Sequence, residues 1–271
     1  MNIKSVSLAL SGGGARGAYH LGAIHCLNEM NIEIKAICGT SIGALIGVSY
    51  ASGVSPTDQL KIFKSKEFRS IFSFRLFGQS FFKIDANAKI LNRLVLQKRL
   101  EDLKIPVSIT AVDLNSGKNL YFQSGDAIAL CMSSCALIPV FEPVKYQNMV
   151  LADGGIVNHM PLGTLKNNGL PILGINLHPI FDTDTKSTLW QNIKRTLYIM
   201  TFSQNRQSQE ACDLLITSPK LSKYSIFSFK YLDELFDLGY NDAKNALNRL
   251  NNNCNFTLCV LKYLLSSKIG N

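Results

Sequence analysis

Apolar residues recur along this chain in two rhythms. Val6-Ser7-Leu8-Ala9-Leu10 is a short, nearly unbroken apolar run that ends at glycines, as a buried strand does. From about Ala15 to Met30 the apolar positions return at helical spacing. Residues 34–38 repeat the strand pattern, and Ile42 to about Ala51 repeat the helix pattern. Two strand–turn–helix units in succession predict a parallel sheet with crossover helices. Further strands are expected at residues 107–112, 119–122, 149–152 and 172–177, and a helix at 231–250. Asp85 is placed to cap another helix, on which Ile90, Leu91, Leu94 and Val95 share a face. No linker cuts the chain, so it reads as one α/β domain.

Composition supports a folded domain with a large core: 271 residues, 46% hydrophobic and 17% charged. Lys and Arg number 28 against 19 for Asp and Glu, a formal net charge of +9. Such an excess serves solubility or favours polyanionic partners. There is no zinc-finger spacing, no RNA-binding aromatic signature and no concentrated basic run, so no nucleic-acid partner is expected. An anionic membrane surface is the better match. The seven cysteines form no C-x-x-C pair, which fits reduced, mostly buried thiols rather than metal or disulfide frameworks. No signal peptide is recognisable and no run reaches the ~20 apolar residues of a membrane span, so a cytoplasmic protein with at most peripheral membrane contact is expected. Residues 68–82 hold six of the fifteen phenylalanines, interleaved with Arg69 and Arg75. Two readings fit them: a lid or lipid-contacting surface, or aromatics packed inward.

Three short motifs carry chemistry. Gly39-Thr40-Ser41-Ile42-Gly43 matches G-x-S-x-G between a predicted strand and a predicted helix. That spacing builds a sharp turn which thrusts the serine forward as a nucleophile, with glycines keeping space around it. The helix N-terminus favours negative charge developing there. A tight turn with Ser41 as a simple helix cap is the plainer alternative. Gly12-Gly13-Gly14-Ala15-Arg16-Gly17 satisfies G-x-G-x-x-G, the dinucleotide fingerprint. A dinucleotide site needs an acid at the end of the second strand, and Cys38-Gly39-Thr40-Ser41 supplies none. The same loop can instead offer backbone N–H groups to an oxyanion, with Arg16 adding positive charge nearby. A serine nucleophile also needs a base. His178, at a strand end before Pro179, and Asp153, in Asp153-Gly154-Gly155 after an apolar run, are both candidates. An isolated Asp-Gly-Gly is more often just a turn. His20 and His25 fall within the first helix pattern, where a core or surface role fits better.

Taken in order, these motifs resemble the patatin-like phospholipase family. The stretches from Ser11 to Gly17 and from Gly39 to Gly43 carry the resemblance, together with Asp153-Gly154-Gly155, the block from Ser134 to Pro143, and Asp233-Glu234-Leu235 with Gly239-Tyr240. It covers residues 5–247, leaving 248–271 as a tail without a recognisable motif. It implies a three-layer α/β/α sandwich with a mostly parallel central sheet. It also implies fatty-acyl ester hydrolysis of phospholipids or other acyl lipids by a Ser41–Asp153 dyad, with no metal and no cofactor. The loop of Gly12, Gly13, Gly14, Ala15, Arg16 and Gly17 would then hold the oxyanion; Gly39, Thr40, Ile42 and Gly43 would form the elbow, and Gly154 and Gly155 the base motif. A carboxylate of ordinary pKa, ~3.9, is a weak base for a hydroxyl in water, so the dyad requires a desolvated site. The chain departs from the family's usual pattern at His159, which is read as lying on the rim. Acyl transfer to an acceptor other than water, and a membrane-binding module without activity, are the remaining alternatives.

Overall fold

A computed structural model describes residues 3–74, 82–84, 88–180, 188–203 and 205–252. The chain opens with β1 (Ser5–Leu10), a glycine turn, α1 (Gly17–Glu29), β2 (Glu33–Thr40) and α2 (Ile42–Ala51). Next come α3 (Pro56–Lys64), α4 (Lys66–Arg69) and the small antiparallel pair β3 (Phe72–Phe74) and β4 (Phe82–Ile84). A single turn, α5 (Leu91–Leu94), leads to β5 (Val107–Asp113), β6 (Lys118–Phe122) and α6 (Ala127–Ser134). Then follow β7 (Val144–Tyr146), β8 (Met149–Asp153) and β9 (Ile172–Ile175). The last described elements are α7 (Leu189–Phe202), α8 (Asn205–Glu210), β10 (Leu214–Ile216) and α9 (Leu232–Asn252).

The predicted elements are present. Ile90, Leu91, Leu94 and Val95 are buried together as expected, on one turn rather than a long helix. The proposed cap Asp85 lies outside the described residues, as do Arg75, Phe77, Phe81, Cys254 and Cys259.

Among the described residues, eight strands form one mixed sheet flanked by helices. β10, β9, β1, β2 and β5 run parallel in that order, and β8 and β7 extend it antiparallel. Alternation along the strands separates two faces. Leu8, Leu10, Ile37, Leu173 and Ile175 point into the main core under α1, α2, α6 and α9. Ala9, Ala36, Cys38 and Ile172 point the other way, where Met160, Leu162 and Leu165 cover them. Helix α1 is buried on nearly every side because α9 lies tightly along it. Reciprocal glycines allow that approach: a Cβ on Gly22 would collide with the Phe236 carbonyl, and one on Gly239 with the Tyr19 carbonyl.

One detail of the sheet positions the site. β5 carries β6 along one edge, paired from Ile109 to Asp113. On its other edge β2 pairs with Val107–Thr110, and β8 takes over at Ala111–Asp113. The two strands run in opposite directions, so their C-terminal ends meet head to head. Thr40 stands opposite Thr110, and Asp153 opposite Ala111.

Candidate active site

Ser41 is the single residue between β2 and α2, and it holds φ 55°, ψ −126°. This left-handed backbone is uncommon for a residue with a Cβ and marks stored strain at the turn. The surroundings hold it in place. The Ser41 N–H donates to Ser134 Oγ (2.8 Å), and the Ser134 hydroxyl donates to the Thr110 carbonyl (2.6 Å). A Cβ on Gly43 would lie 2.5 Å from the Leu10 carbonyl oxygen and 2.6 Å from that of Ser11. One on Gly39 would lie 2.7 Å from the backbone of Ala44. The elbow therefore forms only where glycine lets α2 start hard against β1. Thr40 is buried, its hydroxyl 2.7 Å from that of Thr110, and Ile42 packs against Gly17 at the start of α1.

Asp153 ends β8 and is buried. Its Oδ1 accepts the Gly155 N–H at 2.7 Å, and the Ser41 side chain is its second hydrogen-bonding neighbour. Burial pushes the carboxyl up to about 6, and the bonds from Ser41 and Gly155 limit the rise. Gly154 packs directly on Thr110, which leaves no room for a side chain. Cys135 also lies beside Ser41, and burial together with the Asp153 charge pushes its thiol up, so it stays protonated.

The glycine loop passes next to Ser41: a Cβ on Gly12 would lie 3.2 Å from the Ser41 Cβ. Ser11 anchors the loop, its hydroxyl accepting the Leu177 N–H (2.9 Å) and its carbonyl accepting from His20 Nε2 (2.8 Å). His20 thus has a buried structural task, and burial drops its pKa to about 4. His25 lies at the surface beside Glu29. Within the loop, the Gly12 and Ala15 amides already donate to the carbonyls of His159 and Ile226. The Gly13 and Gly14 amides have no such acceptor among the described residues, and both residues line the cavity over Ser41. Arg16 is engaged elsewhere. Its guanidinium donates to the carbonyls of Tyr224 (2.8 Å) and Leu177 (2.9 Å) and sits 3.4 Å from His178 Nδ1. It clamps the loop to two other segments.

Ser41 and Asp153 lie in the wall of a cavity of about 730 Å³ with a mostly apolar lining. Leu45, Phe63, Phe68, Leu91, Met132 and Phe141 contribute to it. The volume is in the range of small-molecule and cofactor sites. Phe68 is 2% exposed and stacks on Phe63 at 4.7 Å, so the first aromatic of the phenylalanine-rich segment packs inward. His159 is part of this wall and not only of its rim: its Cε1 occupies the space a Gly12 Cβ would need. Burial lowers its pKa to about 4 and holds His178 well below the usual histidine range. Both rings are neutral at neutral pH, and His178 stacks on Phe202 at 4.0 Å. Among the described residues, no hydrogen bond joins either histidine to Ser41. Ser134, Tyr198 and Phe202 carried no separate signal in the sequence; of these, only Ser134 fell within a motif block.

The patatin-like phospholipase family model matches residues 8–166, and the chain belongs to that family. It is 35% identical over 175 residues to an uncharacterised NTE family protein of Mycobacterium tuberculosis, covering 63% of this chain and 46% of that protein. It is 26% identical to the lysophospholipase NTE1 of Coccidioides immitis over 92% of this chain, though only 18% of that protein. The chain thus spans less than half the length of these relatives. Among solved structures, VipD from Legionella pneumophila shares the fold with a TM-score of 0.53 at 14% identity, covering 91% of this chain and 67% of that one.

Proposed function

We propose that the chain hydrolyses fatty-acyl esters of lipids, with Ser41 as nucleophile and Asp153 as base. The observation that carries this reading is a strained serine beside a buried carboxyl in the wall of a large apolar cavity. Ionised Asp153 takes the Ser41 proton as the oxygen attacks the ester carbonyl. The carbonyl oxygen becomes an oxyanion and is held by the Gly13 and Gly14 amides. Asp153 returns the proton to the departing alcohol oxygen, leaving an acyl group on Ser41. Asp153 then takes a proton from water as it attacks that ester and returns it to Ser41 Oγ as the acyl–oxygen bond breaks, so the fatty acid leaves and the serine hydroxyl is restored. The apolar lining accepts the acyl chain and keeps the carboxylate poorly hydrated, which raises its basicity. The lysophospholipase name of the fungal relative points to the same substrate class. The substrate would be met at a lipid surface, by peripheral contact.

A panel of phospholipids and lysophospholipids, assayed with wild type and Ser41→Ala, tests the proposal. Release of fatty acid by wild type alone is expected, with a fluorophosphonate labelling Ser41 once. Equal labelling or equal turnover in Ser41→Ala would overturn it.

A further inference from the structure

The imidazole of His159 is wedged beside the Ser41–Asp153 pair. A Cβ on Gly12 would lie 2.5 Å from His159 Cε1 and 3.2 Å from the Ser41 Cβ. On the other flank, a Cβ on Gly155 would lie 3.4 Å from His159 Nε2 and 3.0 Å from Asp153 Oδ1. The ring thus stands between the glycine loop and the base motif, and its Nε2 and the carboxylate oxygen flank the same point. Packing fixes it there. The rings of His178 and Phe202 each lie 4.6 Å away, centre to centre, and the Gly12 N–H donates to the His159 carbonyl (3.1 Å). His178 is itself stacked on Phe202 and faces Arg16.

His159 Nδ1 is buried and has no hydrogen-bond partner in another described residue. The neighbour of the ring is its own backbone, which Nδ1 alone is close enough to meet. That places the proton of the neutral ring on Nδ1 and leaves Nε2 as an acceptor. The cavity that His159 and Gly155 line is mostly apolar. Water settles in such a place only where two or more polar groups converge. Just beyond the Gly155 Cβ position, Asp153 Oδ1 and His159 Nε2 converge. We propose that His159 is a further catalytic residue, which holds the water of the second step against Asp153. This deepens the reading of Ser41 as nucleophile and Asp153 as base, and rests on it. One O–H of the water points at the carboxylate and the other donates to Nε2. Asp153 takes the first proton as the oxygen bonds to the acyl carbon on Ser41. The second proton stays on that oxygen and leaves with the fatty acid. Asp153 passes its proton to Ser41 Oγ as the acyl–oxygen bond breaks, and His159 neither gains nor loses one. The arrangement separates water from other acceptors. An alcohol has a single O–H, which Asp153 needs, and so gives nothing to Nε2. His159 therefore biases the acyl-enzyme towards hydrolysis and away from transfer.

The test gives the full chain p-nitrophenyl butyrate in buffer with a fixed share of methanol, and measures methyl butyrate and butyric acid separately. Their ratio is set after Ser41 is acylated, so it does not depend on the rate of that step. His159→Phe keeps a flat ring and loses both nitrogens. Its ester-to-acid ratio should rise about tenfold over wild type, the loss of one hydrogen bond to the attacking water. His159→Gln, whose amide oxygen reaches the place of Nε2, should restore the wild-type ratio. His159→Asn, which reaches only the place of Nδ1, should not. An unchanged ratio in His159→Phe would overturn the inference. Where that variant does not fold, equal ratios in His159→Gln and His159→Asn would overturn it instead. Equal turnover by Ser41→Ala would remove the nucleophile, and this inference with it. An inactive Ser41→Ala beside equal ratios in every His159 variant would remove the role of His159 alone.

Discussion

Ser41 and Asp153 meet because Thr40 and Asp153 stand opposite consecutive residues of β5, Thr110 and Ala111, on the same edge of that strand. β2 delivers the serine from one direction and β8 the carboxyl from the other. Thr110 also ties the junction together, its hydroxyl against Thr40, its carbonyl accepting from Ser134, and its backbone packed on Gly154.

The Asp153 carboxyl should be visible in both activity and stability. With its pKa at about 6, kcat/KM should fall as pH drops below that value, because protonated Asp153 cannot accept the Ser41 proton. An acid with a raised folded pKa binds its proton more tightly in the native state. Its contribution is favourable below the unfolded value of ~3.9 and is lost as pH rises through about 6. At neutral pH the ionised carboxylate thus costs stability on the order of 3 kcal/mol. Asp153→Asn should abolish turnover while raising the unfolding temperature, and that gain should shrink towards pH 4. A variant less stable than wild type at pH 7 would contradict this account.

His159 lines the cavity but should not set the acid limb. With burial lowering its pKa to about 4, it is already neutral where Asp153 titrates. His159→Asn should keep the limb near pH 6, whatever its effect on KM. Loss or displacement of the limb in a pH–rate profile would transfer the base to the histidine.

Arg16 should matter for stability more than for chemistry. Its buried guanidinium satisfies two carbonyls on separate segments, and a lysine cannot reproduce that fork. Arg16→Lys should cost about 2–4 kcal/mol by thermal or denaturant unfolding. At a temperature where it stays folded, kcat should remain within about tenfold of wild type. A fall of ~10²–10³ in kcat with unchanged stability would show instead that its charge acts on the oxyanion.

Gly43→Ala should be destabilising by about 2 kcal/mol or more, since the new methyl would meet two backbone carbonyls of β1 and its following turn that have little freedom to move. Gly117→Ala is a control that meets nothing within 4 Å, although Gly117 holds φ 68° and some backbone strain is expected there. Denaturant midpoints of the two variants should differ in that order.

The early part of the chain was legible from sequence because its signals are local. Strand β1, helix α1, strand β2 and helix α2 follow from apolar period and glycine turns alone, and so does the elbow at Ser41. The order of three motifs identified the family, and the resemblance implies Asp153 as the partner of Ser41. Why Asp153 reaches Ser41 was not legible, since head-to-head pairing along β5 depends on registers between distant strands that no local pattern encodes. The same limit applies to Arg16: its charge is plain in the loop, but its acceptors lie at Leu177 and Tyr224, and only folding brings them together. Helix α7 escaped notice because apolar residues on both sides of a helix blur the amphipathic period. Folding separates those sides, placing Phe202 against the cavity and leaving Trp190 exposed.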